Sequence, residues 1–307
     1  MPLEEPVHII INGCAGTAQK LDLVARLNEY VKLDPRWRVS VARSGTELID
    51  LAKQAAHDDD CQIVVAAGGD GTVSTVAGAL VGTPKKLGVL PVGTLNHFAK
   101  DLHIPLDLED ALRTIADRHV IAVDIGEVNG RIFINNSSLG LYPNIVQERQ
   151  KQERLGWGKW PAFVWAAVAV LRRYPLVDVR LMIRGTELHC RTPFVFVGNN
   201  KYAMEGFHIG ARERLDSGEL SLYITNRTGR LALIRLALRA LVGGLRNEKD
   251  FAAMTTQEVW ITTPHRRLQV AADGEVANML PPLHYRVHPR TLHVIVPALA
   301  DNALHES

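Results

Sequence analysis

Gly68-Gly69-Asp70-Gly71-Thr72 sets three glycines around one carboxylate, directly after the apolar run Ile63 to Ala67 and directly before an apolar pattern of helical spacing. So little side chain implies a loop that something approaches closely. Two other loops share this character. Asn12-Gly13-Cys14-Ala15-Gly16 follows the run His8 to Asn12, and Pro91-Val92-Gly93-Thr94-Leu95-Asn96 follows Leu87 to Leu90. Backbone N–H groups at such turns, with a helix dipole behind them, attract anions and above all phosphate. Asp70 would repel a bare phosphate. It fits a nucleotide that brings Mg²⁺, which wants hard oxygen ligands or an ordered water shell. The spacing is neither G-x-G-x-x-G nor GK[ST], so neither a dinucleotide fingerprint nor a P-loop is indicated. Any one loop alone reads equally as a tight turn with Thr72 as helix N-cap; recurrence on three loops favours the phosphate ligand. A second carboxylate pair, Asp273-Gly274-Glu275, lies between two β-type runs, where Asp-Gly is a common hairpin turn.

The elements needed to position these loops are legible along the chain. Strand runs at His8–Asn12, Arg38–Ala42, Ile63–Ala67, Leu87–Leu90 and Val120–Val128 alternate with helical spacing at Ala18–Leu33, Thr46–His57, from Thr72, and Asp107–Ala116. Runs apolar on both faces in βαβα order predict a parallel sheet covered by helices. Ligands of such sheets bind outside the carboxyl ends of the strands, where the three loops fall. Beyond about residue 125 the strand runs crowd together: Arg131–Asn136, Val177–Ile183, Glu187–Arg191, Phe194–Gly198, Leu220–Thr225, Glu258–Thr262, Leu268–Ala272, Leu283–Val287 and Leu292–Val296. The expected architecture is an α/β N-terminal domain, 1–125, and a C-terminal antiparallel β-sandwich domain, 126–289, with inserted helices. The segment from about 290 to 307 is open to a return to the first domain.

Composition narrows the partners. At 307 residues the chain has room for two cores, and a net charge of +2 implies no nucleic acid. Three scattered cysteines, Cys14, Cys61 and Cys190, suit a reducing cytoplasm rather than a disulfide framework or zinc site. Apolar runs such as Ala162 to Leu171 are about half the length of a spanning helix. Two stretches suit peripheral contact with an anionic membrane surface, such as the inner face of a plasma membrane. In 228–247, Arg235, Arg239 and Arg246 share a narrow arc of a helix otherwise rich in Leu, Ile and Val. In 155–175, Trp157, Trp160 and Trp165 accompany Arg172-Arg173. Each reads equally as a helix packed on the sandwich with its arginines in water. A homodimer stays open.

Four motifs in order, GGDGT at 68–72, PVGTLNHFAKDLHIP at 91–105, VDIGEVNG at 123–130 and DGE at 273–275, resemble the diacylglycerol kinase catalytic family, in its soluble bacterial lipid-kinase branch related to sphingosine kinases. The resemblance covers nearly the whole chain. It implies a nucleotide-binding domain like that of NAD kinase and phosphofructokinase, a β-sandwich carrying the lipid site, and ATP- and Mg²⁺-dependent phosphoryl transfer to a membrane lipid hydroxyl. Carried across, Gly68, Gly69, Gly71 and Thr72 contact phosphate, while Gly93, Thr94 and Asn96 line the nucleotide side; Asn12 and His97, which the family does not supply, are counted with them as nucleotide-binding candidates. Asp70 and Asp124 belong to the metal network. Asp273 is the general base, with Glu275 either assisting or solvated.

The sequence also departs from that family. His97 stands where it usually has Asp, and neutral imidazole is a poor Mg²⁺ ligand; the residue either donates to phosphate or caps the helix at Phe98. Ser74-Thr75 replaces a common Asn-Glu, and the first loop lacks the usual Asn-Pro and Ser-Gly pairs. In 213–220, ERLDSGEL falls where the family can carry a structural metal, but Asp216 is one place early, and a turn into the next strand is expected. The leading reading is a kinase acting on diacylglycerol or a similar membrane alcohol. Its rivals are an NAD kinase-like small-molecule kinase and a non-catalytic nucleotide- or lipid-binding membrane adaptor, for which His97 is the best argument.

Overall fold

A computed structural model describes residues 5–13, 24–27, 29, 36–140, 176–202, 212, 214–225 and 251–298. The chain forms two compact units, Met1–Ile125 with Arg290–Ser307, and Gly126–Pro289. It passes between them twice, within a strand each time.

The first unit is a parallel sheet. Its strands are β1 (Val7–Asn12), β2 (Trp37–Ala42), β3 (Ile63–Gly68), β4 (Lys86–Pro91) and the C-terminal part of a long final strand, in the order β2-β1-β3-β4-final. Every residue of β3 and nearly every residue of β1 is buried, as strands covered on both faces must be. The helices are α1 (Gly45–His57), α2 (Asp70–Leu80), α3 (His97–Asp101) and α4 (Leu108–Asp117). Ser44 starts α1 by accepting the Glu47 N–H at 3.1 Å, and Asp107 starts α4 by accepting the N–H groups of Glu109 and Asp110. Both are short polar side chains meeting orphan donors of a first turn. Apolar residues at the spacing of one helical face bring Ala111, Leu112 and Ile115 of α4 down onto Ile9, Ile11, Val65 and Leu90 of the sheet.

The second unit is two antiparallel layers. One is ordered β12-β11-β10-β7-β14-β15, from β7 (Asn136–Gly140), β10 (Phe194–Asn199), β11 (Leu220–Thr225), β12 (Phe251–Thr256), β14 (Leu268–Ala272) and β15 (Glu275–Met279). The other contains β8 (Val177–Ile183), β9 (Thr186–Thr192), β13 (Glu258–Thr262) and the N-terminal part of β16 (Leu283–Ile295), with the end of β5 (Val120–Val128) and β6 (Arg131–Phe133) paired alongside. Alternating apolar residues from both layers, such as Val195, Val197, Leu220 and Leu222 against Val179, Leu181, Val259 and Tyr285, close one core.

This architecture is the α/β unit plus β-sandwich that the sequence predicts, with differences of detail. The expected strand 131–136 is interrupted at Ile134-Asn135, whose N–H groups turn to a side chain instead of a ladder. The two expected final strands are one, continuous through Pro289 and through Arg290 at φ 52°. Both β12 and β15 were absent from the sequence expectation. Most of Ala18–Leu33, together with the stretches 155–175 and 228–247, lies outside the described residues, although 24–27 are helical.

Candidate active site

Strand register brings the starts of the three glycine loops to one edge, the first of them described as far as Gly13. Ile11 pairs with Ala67 and Gly68 with Pro91, so β1, β3 and β4 end side by side and release their loops together. Asn12 at the end of β1 donates its Nδ2 to Thr72 Oγ1 at 3.0 Å, tying the first loop to α2. Helix α2 begins at Asp70 with Gly69 as its N-cap. Thr72 therefore lies inside the first turn and is not the cap that its residue type suggests.

The glycines answer largely to one another. A Cβ on Gly68 would overlap the Thr72 side chain, and one on Gly93 would overlap the Gly69 backbone and Asn96 Oδ1. At these positions the close approach comes from the neighbouring side chain and loop, which corrects the expectation that a ligand alone requires the glycines. Asn96 sits in the left-handed region at φ 52° and is buried. Its side chain accepts the Gly93 N–H and donates to the carbonyls of Pro91 and Gly93. It thus braces its own loop from within. Thr94 and His97 are exposed at the same loop's surface.

Asp70 occupies the first position of α2, and its Oδ1 accepts the Phe98 N–H at 3.1 Å. This carboxylate caps α3 from a different helix. The His97 ring makes no such cap, so the capping alternative for that residue falls. Among the described residues no hydrogen bond reaches Asp70 Oδ2. At the start of α2 the Thr72 N–H is taken by the Gly69 carbonyl at 2.9 Å, whereas those of Asp70 and Gly71 have no intrahelical acceptor.

Asp124 is fully buried in the middle of β5, and its Oδ1 accepts the Arg290 N–H at 2.9 Å. Here the carboxylate stabilises the left-handed residue in β16. Among the described residues, no group of three or more His, Cys, Asp or Glu side chains could hold a metal ion. A cage built from protein alone is therefore not offered there. The ion of a nucleotide needs none, because it takes phosphate oxygens and water with one or two carboxylates.

In the second unit, Asp273 and Gly274, at φ 47° and 81°, form the two-residue turn between β14 and β15. The hairpin reading is thus right, and the turn also aims a carboxylate. Asp273 Oδ2 accepts the Ile134 N–H at 2.7 Å, and Oδ1 accepts those of Asn135 and Asn136 at 2.9 and 3.1 Å. Its own N–H returns to the Asn136 carbonyl at 2.9 Å. Charge-assisted bonds of this kind are short and orienting. Glu275 is exposed and pairs with Arg131 at 2.7 Å. In the stretch 214–220, Arg214 bonds Asp216, while Ser217 gives its N–H and hydroxyl to Asn200 Oδ1, and Gly218 at φ 69° leads into β11. That is the expected turn.

Sequence reasoning missed Glu127. Arg286 donates to it from Nε and Nη2, His288 bonds it at 2.7 Å, and the Gly130 N–H reaches it at 3.0 Å. Burial opposes its ionisation and is the largest single influence. The bonds from Arg286, His288 and Gly130 outweigh it and hold the carboxyl below the ordinary range. The residue lies within VDIGEVNG, but its charged partners Arg286 and His288 are about 160 positions away, beyond any local signal.

The fold and these sites define a two-unit protein with a glycine-loop α/β unit and a carboxylate-bearing β-sandwich. Residues 6–128 match the diacylglycerol kinase catalytic domain, and residues 142–296 match the YegS C-terminal NAD kinase beta sandwich-like domain. The chain belongs to this diacylglycerol kinase family, whose members are phosphotransferases with an alcohol acceptor. A diacylglycerol kinase of Staphylococcus aureus strain MRSA252 is 29% identical over 285 residues, covering 91% of this chain and 89% of its own length. One from Staphylococcus carnosus strain TM300 is 27% identical over 265 residues, covering 82% and 86%. The crystal structure of a diacylglycerol kinase from Bacillus anthracis strain Sterne superposes with a TM-score of 0.73 at 21% identity, covering 96% of this chain and 98% of that one. These likenesses favour the lipid-kinase reading over the NAD kinase-like one.

Proposed function

We propose that this protein transfers the γ-phosphoryl group of ATP to the hydroxyl of diacylglycerol or a similar membrane alcohol. The observation that carries the reading is the match of both halves, in order, to the catalytic and sandwich domains of one kinase family. The first unit is the nucleotide side. The fit to a magnesium nucleotide rests on its donor set: first-turn amides of α2 for phosphate, and the Oδ2 of Asp70, hard and anionic, for the ion. Bound there, magnesium ATP supplies the phosphoryl group and neutralises charge on its oxygens. Gly69, Gly71 and Gly93 keep the backbone bare at the loop surface, and Thr94 and His97 stand exposed to donate to phosphate. Thr72, Asn12, Gly68 and Asn96 hold the loops in shape. Asp124 holds the Arg290 N–H of β16 with one oxygen and is kept in the metal network that the resemblance implies.

In the second unit Asp273 serves as general base. A lipid hydroxyl is a weak nucleophile, and a carboxylate within hydrogen-bond reach accepts its proton as the bond to phosphorus forms. Three backbone N–H groups fix that carboxylate, so it needs no reorganisation when the proton moves. Glu275, drawn to Arg131, shapes the turn's outer side. Peripheral membrane contact is assigned to the stretches 228–247 and 155–175 on their composition. Labelled ATP offered to a panel of lipids in mixed micelles, with NAD as a competing acceptor, tests the proposal. Phosphate is expected on a glycerolipid hydroxyl; phosphorylation of NAD and no lipid would overturn it.

A further inference from the structure

Asp273 is held by a turn that is itself held from the other side. The carbonyl of Ile134 accepts Arg212 Nη1 at 2.6 Å and Asn199 Nδ2 at 3.0 Å. The side-chain oxygen of Asn135 accepts Arg212 Nη2 at 2.7 Å. The carbonyl of Asn135 accepts the Tyr202 hydroxyl and the Asn199 N–H, both at 2.9 Å. A peptide group is one rigid plane carrying the C=O of one residue and the N–H of the next. The Ile134 carbonyl and the Asn135 N–H are therefore two ends of a single group. Arg212 bonds one end and Asp273 the other. The next peptide repeats the arrangement, with Tyr202 at its carbonyl end and Asp273 at its N–H end. Linked hydrogen bonds polarise one another, and a positive charge at the carbonyl strengthens donation to a carboxylate at the N–H.

Arg212 is 4% exposed, and its guanidinium lies 5.6 Å from the centre of the Tyr202 ring. Burying a guanidinium carries a large desolvation cost, and a neutral side chain of similar length would brace a strand at less. Its planar fork, by contrast, bonds two acceptors at fixed angles, which a single ammonium does not do. Here Nη1 bonds the Ile134 carbonyl and, at 3.2 Å, the Asn199 carbonyl, while Nη2 bonds the Asn135 side chain, so the fork grips the very turn that bonds Asp273.

We propose that Arg212 is a positioning residue for Asp273: through the peptide groups 134–136 it fixes the carboxylate that takes the acceptor's proton, without touching the acceptor itself. This rests on the reading of Asp273 as the base. The test uses the full chain with Arg212→Met, which keeps volume and removes charge, and Arg212→Lys, which keeps charge and removes the fork. Amide hydrogen exchange reads the turn without any need for catalysis. The N–H groups of Asn135 and Asn136 are expected to exchange about tenfold faster in Arg212→Met, and likewise in Asp273→Asn, because both break the same bonded chain. In the mixed-micelle assay kcat is expected to fall about a hundredfold in Arg212→Met, the scale of an ångström of misplacement, with the KM for ATP unchanged. The double variant with Asp273→Asn should be no slower than Asp273→Asn alone, since the effect runs through that carboxylate. Arg212→Lys should fall between, and it carries both measurements if the Met variant does not fold. Wild-type exchange at Asn135 and Asn136 in a folded Arg212 variant would overturn the inference. So would the same fractional loss of rate with and without Asp273. If the wild type phosphorylates no lipid, the assignment of a base fails, while exchange still decides whether Arg212 holds the carboxylate.

Discussion

At the scale of single residues, the two carboxylates in glycine turns are held for different ends. Asp70 gives one oxygen to the Phe98 N–H, and among the described residues no hydrogen bond reaches the other, whereas Asp273 has both oxygens bonded by consecutive amides. The two duties of Asp70 can be separated. Asp70→Asn retains an acceptor for Phe98 and should melt within about 0.5 kcal/mol of the wild type. Asp70→Ala loses the cap and should cost about 1 kcal/mol. Both should raise the Mg²⁺ concentration needed for half-maximal rate. Denaturant titration beside a Mg²⁺ titration of activity checks the pair, and equal stability of the two variants would contradict the capping role.

At the scale of elements, register does what no single loop does alone. The paired ends of β1, β3 and β4 make one edge, and Gly69 and Gly93 let two of its loops touch through their backbones. Gly93→Ala should destabilise the protein by about 1–3 kcal/mol through overpacking, read as a lower thermal midpoint. Wild-type stability would show that the loops part easily. Much of this edge was legible in the sequence, because β1 and β3 are continuous apolar runs and Gly-Asp-Gly punctuates them sharply. What escaped was what lies far away in sequence. The amides that receive Asp273 are 137 to 139 positions from it, and Arg286 is 159 from Glu127. Strand β15 was missed because Glu275–Met279 alternates weakly and is half-buried at a sheet edge. The cap at Phe98 stayed open in the sequence because a residue type says where a cap is possible, whereas the partner comes from a neighbouring helix.

At the scale of the whole molecule, pH and membrane charge should govern stability and access. His8 is buried under Ser40 and Arg38. The guanidinium donates to Nδ1, so Nε2 carries the proton and gives it to Ser40. Burial, then the charge of Arg38, lowers its pKa from 6.5 to about 4. The unfolded chain takes up that proton first, so this contribution is complete above pH 6.5 and is lost as pH falls toward 4. With allowance for solvent screening the loss should be on the order of 2 kcal/mol, and His8→Gln should flatten that part of the stability profile. Membrane access is read by sedimentation with vesicles. Replacing Arg235, Arg239 and Arg246 by Gln should remove the preference for anionic over neutral lipid, about 1 kcal/mol per charge. An unchanged preference would place the contact elsewhere.

The most direct measurement is a single-turnover assay of labelled ATP with diacylglycerol in mixed micelles, comparing the wild type with Asp273→Asn. The substitution removes the proton acceptor and, with it, one of the two oxygens that receive the backbone N–H groups of 134–136. Phosphatidic acid should form in the wild type and should form 10²- to 10⁴-fold more slowly, with ATP affinity unchanged, in the variant. Equal rates in the two proteins would contradict the account.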